Sequence, residues 1–184
     1  MATWNSRGLR GSALEEMINY TNDLYKEKHL ALIQKIPTPI KPIQIEKETR
    51  HITLAYFDQK STVDYIGTVQ GIPVCFDAKE CAKDTFPIAN VHKHQMDFME
   101  EFERQGGVAF LLLSYTKRDE MYYLPFIQMK EFYKRAKEGI RKSFTYEELD
   151  KSYRIYSEGA ACVHYLPAIQ RDLDSRDEKI YEKK

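Results

Sequence analysis

The sequence predicts an α/β fold, a mixed β-sheet flanked by helices within one domain. Three observations lead there. The run "VAFLLLSY" at 108–115 is apolar on both alternations, as a strand covered on both faces must be. Residues 12–28 and 93–105 repeat their apolar positions at helical spacing. Between them, "STVDYIGTVQGIPVCFDAKEC" (61–81) places two strand-like runs on either side of Gln70-Gly71, a pair suited to a two-residue hairpin turn. With 184 residues the chain can fill one core and stays short of the size at which a second is expected.

Along the chain, the first helix spans 12–28, with Leu14, Met17, Ile18, Thr21, Leu24 and Tyr25 on one face and Ser12 as its N-cap. "KIPTPIKPIQIEKETR" carries three prolines within six residues, which rules out helix and favours extended chain. "HITLAYF" (51–57) reads as a strand, and the hairpin follows it. After the loop "KDTFPIANVH", the charged amphipathic helix 93–105 stops at Gly106-Gly107. The buried strand comes next, then "EMYYLPF", where Pro125 marks an edge position or a strand end. "QMKEFYKRAKEG" is a helix stopped by Gly139. "TYEELDKSY" and "LPAIQRDL" read as two short helices, and the charged "DSRDEKIYEKK" as a frayed end.

Hydrophobic residues make up 42% of the chain and charged ones 30%, the balance of a globular protein. Lys plus Arg equal Asp plus Glu at 28 each, so a nucleic-acid partner would need a local basic patch. The longest apolar run is far too short to cross a membrane, and "MATWNSRGLRGS" lacks the apolar centre of a signal peptide. Cys75, Cys81 and Cys162 have no regular spacing, which argues for reduced thiols in the cytoplasm and against a disulfide framework or zinc knuckle.

The hairpin carries charges where a sheet has none to spare. A turn at Gln70-Gly71 pairs Val69 with Ile72, and counting outward sets Asp64 opposite Asp77 and Thr62 opposite Lys79. All four project from one face at the open end of the hairpin, while Val74, Phe76 and Ala78 face a core on the other. Opposed carboxylates destabilise a strand pair unless something offsets them. A divalent cation does so, and Mg²⁺ suits a site of two carboxylates completed by water and phosphate. Lys79 then stands where it can orient a water or neutralise charge on a phosphoryl group. The plainer alternative is a solvent-facing edge strand with Lys79 as a surface ion-pair partner.

Asp64 followed by Asp77-Ala78-Lys79 is similar to the PD-(D/E)xK nuclease motif. The 61–81 segment with the following "TFPIANVHKHQMDFM" resembles the RecU-type Holliday junction resolvases. "NSRGLRGSALEEMINYTN", "PTPI" and "GIRKSFTYEEL" extend the resemblance along nearly the whole chain. It implies a restriction-endonuclease-like core that cleaves four-way DNA as a homodimer with Mg²⁺ or Mn²⁺, beside recombinase and branch-migration proteins. By the same resemblance Asp64 and Asp77 are metal ligands, Lys79 the catalytic lysine, Thr62 the threonine of the same strand, and Gln95 a contact to water or phosphate. Glu15 would close the metal shell, although Ser12-x-x-Glu15 is also a capping box and Glu16 is a substitute.

The extended segment 36–50 matches the family's protruding stalk, which makes Lys41, Lys47 and Arg50 candidates for phosphate contact. Glu46 and Glu48 interleave with them, so an ordinary solvated ribbon fits as well. A second basic group comprises Lys134, Arg135, Lys137, Arg141 and Lys142, although cations near a helix C-terminus also serve its dipole. His92 and His94 sit at a helix start where residues two apart diverge, and read as surface or phosphate contacts ahead of metal ligands. Cys75 has no base partner and reads as a small filler. Two departures stand out: the family often has Glu at the position of Asp77, and commonly carries a longer basic N-terminal extension.

Overall fold

The computed structural model describes residues 12–58 and 62–181. Helix α1 (Ser12–Glu27) leads into strand β1 (Ala31–Lys35), and the proline-rich segment then runs out into β2 (Ile40–Ile45) and β3 (Ile52–Phe57). The hairpin is β4 (Tyr65–Val69) and β5 (Ile72–Cys81), followed by the short β6 (Thr85–Pro87) and by α2 (Lys93–Arg104). Next come β7 (Val108–Tyr115), β8 (Glu120–Pro125), α3 (Phe126–Lys137) and β9 (Ser143–Thr145). The last elements are β10 (Arg154–Glu158), β11 (Ala161–His164) and α4 (Leu166–Tyr181).

The main sheet has seven strands in the order β1-β4-β5-β7-β8-β10-β11. Only β5 and β7 pair in parallel, joined through α2, so the sheet is mixed as the alternating pattern required. Every residue of β7 is buried, as its unbroken apolar run demanded. Leu14, Ile18 and Tyr25 of α1 cover one face together with Tyr165. Met96 and Met99 of α2 and Met129 and Phe132 of α3 cover the other. Across the first face a ladder of rings (Tyr65, Phe76, Phe110, Tyr123) stacks at 4.7, 4.7 and 4.4 Å between centroids. A one-residue slip would turn those rings to the wrong face, so the ladder pins the hairpin register.

That register is the one the turn predicts, with Val69 opposite Ile72 and Tyr65 opposite Phe76. Gln70 and Gly71 both have positive φ (48° and 86°), the two-residue turn whose twist matches the strands. Gly67 is needed for another reason: a Cβ there would lie 2.1 Å from the Leu32 carbonyl oxygen across the β1–β4 ladder. The ladder closes at Tyr65, so the expected Thr62–Lys79 pair lies beyond it.

Pro125 takes the second of its two expected places, the strand end: it closes β8 and precedes α3, while β8 lies between β7 and β10, away from either edge. Other expectations need correcting. Strand β1 escapes the apolar pattern because Ala31 alone of its five residues is buried. The β10–β11 hairpin was hidden in the same way, its buried residues being only Ile155, Ala161 and Val163. The segment "TYEELDKSY" forms two 3₁₀ turns in place of a helix. Conversely α4 does not stop after "LPAIQRDL" but runs on to Tyr181, 16 residues in all. Asp172, buried at 1% exposure, takes hydrogen bonds from Tyr123 Oη (2.6 Å) and from Arg176 one turn on, which carries the helix past its expected end. Segment 36–50, expected to be the family's stalk, opens a two-stranded ribbon whose second strand is β3, with Ile43, Ile45, Leu54, Tyr56 and Phe57 exposed.

Candidate active site

Strand β5 outlasts its hairpin partner. It pairs with β7 through to Cys81 opposite Tyr115, whereas β4 begins only at Tyr65. Asp77, Ala78 and Lys79 therefore keep a firm ladder on one side and face the incoming chain of 62–64 on the other. The backbone N–H of Asp64 donates to Asp77 Oδ1 at 2.9 Å, and that of Ala78 donates to Asp64 Oδ2 at 3.0 Å. Asp64 and Asp77 thus stand opposite one another, as the register argument requires, each carboxylate fixed by a backbone amide of the facing strand. Lys79 Nζ lies 2.6 Å from Asp77 Oδ2 and 3.8 Å from Asp64 Oδ2.

Asp77 is fully buried, while Asp64 and Lys79 reach solvent. Burial pushes the Asp77 carboxyl up to about 6; the Lys79 ammonium pulls it back and the Asp64 charge pushes it further. A carboxylate in that position is stabilised by any cation that reaches it. Gln95 supplies a second donor, its Nε2 lying 2.6 Å from the same Oδ2. The amide is oriented at its other end, where Gln95 Oε1 accepts the backbone N–H of His92 at 3.0 Å as part of the N-terminal cap of α2. Helix capping and site geometry therefore share one side chain. The ring stack of His92 on His94 (centroids 5.4 Å apart) corrects the expected divergence: His92 precedes the helix in extended conformation, so helical spacing does not govern it.

Glu15 comes near by a different route. Its carboxylate takes a 2.6 Å ion pair from Lys35 of β1, and it lines a cavity of about 430 Å³ with Ala78, Lys79 and Glu80. Among the described residues no group of three or more His, Cys, Asp and Glu side chains forms a metal cage. The donor set at hand is Asp64 and Asp77. It fits a hard divalent cation such as Mg²⁺, which takes one or two carboxylates and keeps several waters. A buried carboxylate with a raised pKa beside a second carboxylate is the chemistry that such an ion stabilises.

Thr62 is half-buried just before Asp64. Of the stalk cations, Lys41 pairs with Asp58 at 2.7 Å, and Lys47 and Arg50 lie in the turn between β2 and β3, where Arg50 has φ +58°. The second basic group is partly neutralised: Arg135 and Arg141 share Glu148, and Lys134 approaches Glu138 at 3.9 Å. Lys142 accepts the N–H of Ile88 through its carbonyl, which ties its loop to the segment before α2. Two contributors were missed because they act through the backbone: the Ala78 amide that holds Asp64 and the His92 amide that orients Gln95. The sequence signal for the second was available in the His92-to-Gln95 spacing of a cap.

The family model described as "Recombination protein U" (RecU) matches residues 9–171. A protein of Staphylococcus aureus (strain JH9) named "Holliday junction resolvase RecU" is 36% identical over 179 residues, covering 94% of this chain and 86% of the relative. Its counterpart in strain MRSA252 matches to the same extent. Among solved structures, Hjc of Archaeoglobus fulgidus, described as a Holliday junction resolvase from an archaeal hyperthermophile, aligns with TM-score 0.36 and 12% identity over 61% of this chain and 74% of that one.

Proposed function

Because the chain belongs to the recombination protein U family, we propose that it is a metal-dependent DNA endonuclease that resolves four-way junctions. One observation carries the reading to chemistry: Asp64, Asp77, Lys79 and Gln95 converge where β5 leaves its hairpin partner. When bound there, a divalent cation, Mg²⁺ or Mn²⁺, offsets the paired carboxylates and draws charge from the scissile phosphate. Asp64 and Asp77 would hold that ion. Lys79, already between the two carboxylates, turns its ammonium to the charge that builds on the phosphoryl oxygens. Gln95 keeps Asp77 oriented by its amide and remains within reach of water or phosphate. Glu15, which pairs with Lys35 in this structure, would be the further carboxylate to close the shell, and Thr62 would line the approach.

The protein acts as one nuclease domain in a homodimer, since paired cuts on opposing strands of a two-fold substrate need two symmetry-related sites. Lys41, Lys47, Arg50, Arg141 and Lys142 meet phosphates of the junction arms. Its place is the cytoplasm, beside recombinase and branch-migration proteins. No helix among the described residues is long and apolar enough to cross a membrane. The test is cleavage of a four-way junction, a flap and a linear duplex with added Mg²⁺ or Mn²⁺. Preferential, paired cutting of the junction is expected. Equal cutting of all three would leave a general nuclease of the same core, and binding without cutting a junction-binding protein.

A further inference from the structure

We propose that the far edge of the sheet carries a second phosphate site, which grips a DNA strand at a distance from the paired aspartates. The cavity, about 280 Å³, opens between β10, β11 and the start of α4, and Arg154, Arg171 and His164 line it. Arg171 projects from α4 and donates one N–H to the Ser152 carbonyl at 2.7 Å. Arg154 spends one nitrogen on Glu120 at 3.1 Å and lies 5.2 Å from the centre of the Tyr156 ring. A guanidinium has five N–H donors in a planar fork, so each retains donors suited to phosphate oxygens.

His164 adds a third donor with a defined proton. Its Nε2 lies 3.1 Å from a Glu158 carboxylate oxygen, which only accepts, so the N–H is on Nε2. Its Nδ1 meets the Tyr25 hydroxyl at 2.9 Å, which fixes the ring from behind. The Glu158 side chain is 76% exposed and stands beside a bulge between Tyr156 and Glu158. It occupies the place an incoming anion would take, held there by its contact with His164, which an anion would displace. Tyr156, 64% exposed, offers a ring face to a sugar or base at the cavity mouth.

The sheet relates this cavity to the paired aspartates. Lys79 pairs with Leu113, Leu113 with Tyr122, and Tyr122 with Arg154, so Lys79 and Arg154 share one row and one face. Three strand spacings separate them, roughly 14 Å. That distance is about four base-pair steps of duplex rise. On this reading a strand held at Asp64 and Asp77 passes the end of the sheet and places a phosphate about four steps away in the cavity. This deepens the junction-binding reading and rests on it.

The test measures junction affinity against salt in EDTA, so that no strand is cut, for wild type, Arg171→Ala, Arg171→Lys and Glu158→Gln. Arg171→Ala should weaken binding about tenfold and lower the salt slope by about one. Arg171→Lys should restore the slope but only part of the affinity. Glu158→Gln, an exposed change that leaves the fold alone, should tighten binding severalfold. Unchanged affinity in both Arg171→Ala and Glu158→Gln overturns the proposal. Titration of wild type and Arg171→Ala with inorganic phosphate separates the sources: a loss confined to free phosphate, with junction binding intact, also overturns the strand assignment. Wild-type cleavage is scored separately, so a protein that binds but never cuts refutes the nuclease reading without touching this one.

Discussion

Asp64 and Asp77 each hold the other's strand: the Asp64 amide donates to Asp77 Oδ1 at 2.9 Å, while Asp64 Oδ2 accepts from the amide beside Asp77, that of Ala78, at 3.0 Å. Two carboxylates that repel across the end of a hairpin are thereby fixed in place by backbone donors. The repulsion persists in the folded protein, and its consequences are measurable.

The first concerns pH. Asp77 titrates near 6 in the folded protein and near 3.9 when unfolded, because burial disfavours its charge. Between those values the folded state holds more protons, so stability falls as pH rises through that window. The contribution is full below about pH 4 and is lost above about pH 6, on the order of 3 kcal/mol. Asp77→Asn cannot titrate, so in metal-free buffer its melting temperature should gain on wild type between pH 4.5 and 7. Parallel profiles for the two proteins would show that Asp77 is not the titrating group. The same variant should bind junctions as well as wild type or better and cleave none.

Metal should act on the same repulsion. A ligand that binds only the folded state stabilises it by mass action, so Mg²⁺ or Mn²⁺ should raise the wild-type melting temperature at pH 7. Asp64→Asn keeps an oxygen for the Ala78 amide and loses the opposing charge. Its metal-free form should be at least as stable as wild type, with most of the metal-induced rise gone. A rise of equal size in both proteins would remove Asp64 from the ligand set.

Gln95 is expected to show two separable effects. Gln95→Ala removes the acceptor of the His92 amide, a capping loss of about 1 kcal/mol, together with the donor to Asp77. Gln95→Glu retains an acceptor for the cap but sets a third carboxylate against Asp77. Its stability should stay closer to wild type, and the acid limb of its pH–rate profile at limiting Mg²⁺ should move to higher pH. A profile identical to wild type would mean that Gln95 only caps the helix.

Salt dependence tests the stalk. Replacing Lys41, Lys47 and Arg50 should each lower the slope of log affinity against log salt by about one if each meets a phosphate. Lys41 has Asp58 as a resident partner, so its contribution should be the smallest of the three. A triple variant with the wild-type slope returns the ribbon to ordinary solvated surface.

Much of the site was legible because a two-residue turn fixes register by counting. Gln70-Gly71 set Val69 against Ile72, and from there Asp64 could only face Asp77. The end of the ladder was not legible, since nothing in "STVD" marks where pairing gives way, and Thr62 therefore lost its expected partner. The far sheet edge was missed for a related reason. Its strands β10 and β11 bury few side chains, so their alternation is faint, and their place is set by pairing with β8 and packing against α1. Helix α4 outran its prediction because Asp172 is buried under Tyr123, a tertiary contact invisible to local pattern.

That packing against α1 also dictates an order of events during synthesis. Thr21 Oγ1 accepts the Val163 amide at 3.1 Å, Tyr165 bonds to Asn22, and Tyr25 meets His164, contacts that join residues 139 to 143 positions apart. The helix leaves the ribosome long before β11 exists to receive it. At ordinary elongation rates its apolar face waits on the order of ten seconds. Although β1 and β5 can cover part of that face earlier, the bonds to β11 and Tyr165 close last, as a clasp, and a fold tied by contacts this distant should refold slowly for its size.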